Sequence, residues 1–165
     1  MNQPRDRGQR HERPPEKMLN DLWPNYLQGG YFDAEGNLKL DYVSRAKVEL
    51  LVKEMSRAFP PLTMHQLRRY FQHCRGIEAK LKQQSSSADQ QKAWEAEKIG
   101  FFKLDSAVAD AYGKQQKKIP RLFHDFIRRN VETVRTKEDF LKGFLPHFEA
   151  LVGFGAQHLN ERDRL

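Results

Sequence analysis

Between Asp41 and Val152, apolar side chains recur at three- and four-residue steps in five successive blocks, each closed by its own stop signal. That period belongs to the α-helix, so the chain is committed to a helical bundle. The first block has Asp41 as an N-cap candidate and Val43, Ala46, Leu50, Leu51 and Met55 on one face, and it stops at Pro60-Pro61. Thr63 with Gln66 has the spacing of a capping box and opens a second helix with Leu67, Tyr70, Phe71, Cys74, Ile77 and Leu81 facing inward. Ser85-Ser86-Ser87 breaks the rhythm. Asp89 is placed to cap a third helix carrying Trp94, Phe101, Leu104, Val108, Ala111 and Tyr112, which frays at Gly113 and the Lys/Gln run to Lys118. Pro120 suits the first turn of a fourth helix with Phe123, Phe126, Ile127, Val131 and Val134 on one side. Thr136 with Asp139 opens a fifth, whose stripe runs Phe140, Leu141, Phe144, Leu145, Phe148, Leu151 and Val152, with a kink or local break expected at Pro146. No strand pattern and no internal repeat interrupts this order. The expected fold is all-α: a single five-helix bundle.

What precedes the first block is different in kind. Residues 1–18 hold four Arg, three Pro and no aromatic, too little apolar surface to offset the entropy of ordering, and are expected to form a flexible basic, Pro-rich arm. Residues 19–40 carry Trp23, Tyr26, Leu27, Tyr31 and Phe32 among Gly29, Gly30 and Gly36, which predicts an irregular, aromatic-anchored lead-in turning at 33–37. The bundle domain then covers residues 41–160. No apolar run is long enough to cross a membrane and the N-terminus lacks the apolar stretch of a signal peptide, so no membrane contact and a cytoplasmic location are expected. Cys74 is the single cysteine, which excludes an internal disulfide and a cysteine-based zinc cluster within this chain.

The chemistry-bearing residues point away from catalysis. The sequence has no Gly-rich phosphate loop, no GxSxG, no HExxH and no CxxC, and no catalytic residue, metal or cofactor is expected. His124-Asp125 invites comparison with histidine-aspartate phosphohydrolases, with His65, His73, His147 and His158 as conceivable further ligands. Neighbours on a helix diverge by about 100°, however, which favours a surface or capping role for the pair.

Charge is more informative. Residues 60–130 hold fourteen Lys and Arg against seven Asp and Glu, and the flanking segments are close to neutral, so the net charge of +7 is concentrated in the middle of the chain. Arg68, Gln72 and Arg75 follow one another at spacings of four and three and share a face of the second helix, with Arg69 at its border. Lys114, Lys117, Lys118 and Arg121 form a second cluster at the joint between helices three and four, with Arg128 and Arg129 beyond it. Such faces are either simply solvated or gather a polyphosphate backbone without reading bases. The aromatic residues fall mostly at core spacing, so Phe101, Phe123, Phe126 and Phe148 are expected in the core first, with base stacking a remote alternative.

In this order the elements resemble the small helical subunit of type III-A CRISPR effector complexes, the Csm ribonucleoproteins. The likeness rests on Gly30-Tyr31-Phe32-Asp33 followed by Gly36-Asn37-Leu38, on Leu62-Thr63-Met64-His65-Gln66-Leu67-Arg68-Arg69-Tyr70-Phe71, on Ala111-Tyr112-Gly113-Lys114, and on Phe148-Glu149-Ala150-Leu151-Val152-Gly153-Phe154. Met64-His65 departs from the family's usual small polar pair, Asp110 stands where an aromatic is usual, and Lys114 replaces an Arg. The resemblance implies a subunit without an active site that stacks with copies of itself beside the backbone and large subunits and touches crRNA and target RNA through phosphates. Base pairing would then supply the sequence specificity. RNA contact is expected at Arg68, Arg69, Gln72, Arg75, Lys114, Lys117, Lys118 and Arg121. The alternatives are a helical protein-protein adaptor without RNA contact and, further off, a metal-dependent phosphohydrolase at His124.

Overall fold

The computed structural model describes residues 16–162; residues 1–15, where most of the expected arm falls, and 163–165 lie outside the described residues. The order is a single turn α1 (Leu19–Leu22), a 3-10 turn (Leu40–Tyr42), a π-helical turn (Arg45–Glu49) running into α2 (Leu50–Arg57), α3 (Met64–Lys82), α4 (Ser87–Gly113), α5 (Arg121–Thr133), and a second π-helical turn (Asp139–Phe144) running into α6 (Leu145–His158). Among the described residues the only strand-like pairing is one antiparallel bridge between Phe32 and Leu38. No described helix is long and apolar enough to cross a membrane.

The start signals act mostly where the sequence places them. Thr63 Oγ1 accepts from Gln66 N at 3.2 Å while Gln66 Oε1 accepts from Thr63 N at 3.0 Å, a complete capping box at the head of α3. Thr136 and Asp139 reciprocate in the same way. Two caps differ. Asp41 lies within the 3-10 turn, and Ser44, with no side-chain cap bond, stands before the π-helical turn that runs into α2. Ser86, not Asp89, caps α4: its hydroxyl accepts from Asp89 N at 3.1 Å, leaving the Asp89 carboxylate in the first turn where the helix dipole favours it. Pro146 is the second residue of α6. Phe144 and Leu145 keep helical dihedrals, and the wide π turn before them accommodates the missing N–H, so the helix continues to His158.

The five long helices close a ring in which α2 packs on α5, α5 on α4, α4 on α3, α3 on α6 and α6 back on α2. Phenylalanines fill its centre. Phe101 and Phe144 have centroids 5.1 Å apart, Phe144 and Phe148 5.4 Å, and Phe126 and Phe148 5.8 Å, within the range of favourable aromatic pairing. Gly155 lets α6 approach α3 closely, since a Cβ there would lie 3.1 Å from Leu67 Cδ2.

The lead-in joins this core rather than trailing from it. Tyr26 and Tyr31 are fully buried, and their hydroxyls end in a polar cluster with Asn130 of α5 and His147 of α6. Tyr31 lies so close to the second π turn that a Cβ on Gly143 would be 2.5 Å from its Cγ. Arg129 fastens the same segment from outside, donating to Tyr26 O at 2.6 Å and Asn20 Oδ1 at 3.3 Å.

Candidate nucleic-acid interface

The capping box of α3 has a second task that determines where the basic residues meet. Gln66 Nε2 donates to Lys118 O at 2.7 Å, and Lys118 N donates to Ala111 O at 3.0 Å. The joint between α4 and α5 is thereby folded back onto the start of α3. A groove of about 790 Å³ results between α3 and α4, and Arg69, Lys114 and Lys118 line it together with His65, Tyr70 and Arg162. Members of both sequence-predicted clusters thus face one concavity. Asp110 is the acidic side chain of this lining, and its carboxylate holds Lys114 Nζ at 3.3 Å. A second hollow of about 520 Å³ shares Arg69 and Tyr70 with the groove and adds Gln72, His73 and Lys103. Arg69 sits at the junction, exposed and without a hydrogen bond or ion pair to any described residue.

Of the other predicted residues, Gln72 lines the second hollow and the rest are engaged by neighbouring side chains. Arg68 Nη1 reaches the Glu161 carboxylate at 2.9 and 3.2 Å. Arg75 lies over the Phe71 ring with its guanidinium on Glu78 at 2.6 Å and Glu149 at 3.1 Å, on the side of α3 that faces α6. Glu78 is partly buried, which opposes its ionisation, yet hydrogen bonds from Arg75 and Lys82 hold its carboxyl below the usual range. Lys117 stands over the Tyr112 ring at 4.4 Å, and Arg121 lies 3.7 Å from Asp125. Arg68, Gln72 and Arg75 do share a face, but the groove forms along the adjoining strip, through Arg69. Arg162 of the groove and Lys103 of the second hollow are basic residues that sequence reasoning did not single out. Lys103 lies in the basic middle segment, after buried Phe101 and exposed Phe102, a weak signal. Arg162 has no local signal and enters only because the tail returns to α3.

Besides His65 in the groove, the described histidines occupy ordinary structural positions. His124 Nδ1 lies 3.2 Å from Asp125 Oδ1 and the ring stacks on Tyr112 at 4.8 Å, while Asp125 also faces Arg121. His73 bonds Gly100 O, His158 bonds Glu49, and His147 is sealed in the core. No group of three or more His, Cys, Asp or Glu among the described residues could hold a metal ion.

Fold and groove together define a small, basic, helical protein in which four Lys and Arg side chains line one groove. The model of the family described as Csm2 Type III-A matches residues 44–159, most of the chain, and the chain belongs to that family, the small subunit of type III-A CRISPR effector complexes. The match covers α2 to α6 and leaves out Gly30 to Leu38, although that segment contributed to the resemblance. No curated protein and no solved structure matches the chain.

Proposed function

We propose that this chain is a non-catalytic cytoplasmic subunit that stacks with copies of itself beside the backbone and large subunits of its CRISPR effector. In that position it contacts the crRNA–target RNA backbone during antiviral defence. The observation that carries RNA contact is the convergence of Arg69, Lys114 and Lys118 in one groove, with Arg162 beside them. A guanidinium and two ammonium groups along a concave strip match successive phosphates and carry no information about bases. Arg68, Gln72, Arg75, Lys117 and Arg121 flank this strip and contribute less, because neighbouring side chains already engage all but Gln72.

The test is binding of the full chain to two unrelated RNA duplexes, followed by fluorescence anisotropy across a salt titration. Arg69→Ala combined with Lys118→Ala weakens both duplexes equally and lowers the salt slope by about 0.7 to 0.9 for every phosphate that the variant no longer neutralises. An unchanged slope and affinity in the double variant would remove the groove from the RNA face.

A protein-docking role is supported by a separate observation on α4. Ile99 is 58% exposed and Phe102 40% exposed, one turn apart on the same side of the helix. Phe102→Glu would then impair assembly with other subunits and leave duplex binding by the isolated chain intact.

A further inference from the structure

The last described residues cross the head of α3 as a strap. Leu159 is buried, Asn160 O accepts from Met64 N at 2.8 Å, and Glu161 O accepts from His65 N at 3.0 Å. These two carbonyls satisfy the first amides of α3, which would otherwise lack partners. Thr63 completes the cap by accepting from Gln66 N. The strap therefore holds its place through main-chain bonds and one apolar anchor, independently of its charges.

Those charges are arranged with opposite effect. The Glu161 carboxylate places both oxygens on Arg68 Nη1, at 2.9 and 3.2 Å, and the next residue, Arg162, lines the basic groove. A carboxylate on a guanidinium meets the same demand that a phosphate would, two oxygens and a negative charge. The pair is open to solvent, with side-chain exposures of 47% for Arg68 and 70% for Glu161, so a polyanion exchanges with it at little cost. Residues 160–162 lie past the segment that the family match covers.

We infer that the strap is an internal competitor for RNA: Glu161 occupies Arg68 in the place of a phosphate and gives it up when a duplex enters the groove beside Arg162. This rests on the reading of the groove as an RNA face. It makes Arg68 a reserve contact, silent until the carboxylate is displaced, and it sets the resting affinity of the isolated chain below what its cations alone would give.

The experiment measures binding of the full chain to an RNA duplex of arbitrary sequence in wild type, Glu161→Gln, Arg68→Ala, the double variant, and Arg69→Ala as the control for the groove. Glutamine keeps the backbone bonds of the strap and removes only its charge, and each variant's melting curve checks the fold. Glu161→Gln tightens binding about two- to five-fold and steepens the salt slope by about 0.7 to 0.9, the increment of one further phosphate. Arg68→Ala abolishes that gain in the Glu161→Gln background and has little effect in the wild type. The inference is overturned when Glu161→Gln leaves affinity unchanged while Arg69→Ala weakens it, or when the gain persists without Arg68. Unchanged binding in both Glu161→Gln and Arg69→Ala removes the groove reading, and the strap's role with it.

Discussion

The Tyr26 hydroxyl and the His147 imidazole, 121 positions apart in the chain, meet at 2.6 Å in the middle of the bundle. Their protonation is fixed by what surrounds them. His147 Nδ1 faces Tyr42 O, which only accepts, so Nδ1 carries the proton and Nε2 receives the Tyr26 O–H. Tyr26 in turn accepts from Asn130 Nδ2 at 2.8 Å, and Asn130 Oδ1 accepts from Tyr31 at 2.7 Å. Four buried side chains from the lead-in, α5 and α6 thus satisfy one another.

This arrangement predicts acid sensitivity. Burial pushes His147 down from 6.5 to about 4, with the bond to Tyr42 O opposing only part of that shift. Between these values the unfolded chain binds the proton and the folded chain does not, so stability is complete above about pH 6.5 and declines as pH falls towards 4. The loss is on the order of 3 kcal/mol. Urea denaturation at stepped pH checks it, and His147→Gln, which bonds both partners without titrating, should flatten the curve across this window.

Gly143→Ala should unseat the lead-in. The added Cβ would fall 2.5 to 2.8 Å from three atoms of Tyr31, whose ring is held by Asn130 and cannot move aside cheaply. A cost of about 1 to 3 kcal/mol follows. Limited proteolysis should then cut within residues 19–40 faster than in the wild type, while the far-UV helical signal stays close to native.

Gln66→Ala should weaken RNA binding although Gln66 carries no charge. Losing its bonds to Thr63 and to Lys118 O costs about 1 kcal/mol of stability and releases the joint that places Lys118 in the groove. A lower melting temperature accompanied by reduced affinity for every duplex sequence is the expected pattern. Unchanged affinity would show that Lys118 keeps its position without this tether.

Cys74 should be inert until the chain unfolds. It is fully shielded, and burial pushes its thiol up to about 12, so the thiolate is scarce at neutral pH. Labelling by a thiol reagent should track unfolding in a denaturant series rather than the concentration of reagent.

The number and order of the long helices and their inward faces were legible in the sequence because each depends on residues within a turn or two, whereas the short α1 was not. The capping boxes at Thr63 and Thr136 and the apolar steps along α3 to α6 act locally, and the family resemblance added the complex to which the chain belongs. The misplaced caps at Asp41 and Asp89 show the same dependence. Asp89 had a rival hydroxyl in Ser86, three residues earlier, and Asp41 fell in a 3-10 turn ahead of the helix start; both outcomes are decided by backbone geometry that composition leaves open. The Pro146 kink was a local expectation too, and the π turn before it took up the defect.

Periodicity fixes the angle at which a side chain leaves its own helix, so the sequence alone determined that Arg68, Arg69, Gln72 and Arg75 would lie off the inward face of α3; the first three are exposed and Arg75 is half-buried. It did not determine their neighbours. Closure of the five-helix ring and the Gln66–Lys118 bond gave Arg69 to a groove with Lys114 and Lys118, and turned Arg75 towards Glu149. The returning tail assigned Arg68 to Glu161 and brought Arg162 into the groove. Charges act through space over a few ångströms, and only the tertiary fold places side chains from distant positions of the chain within that distance.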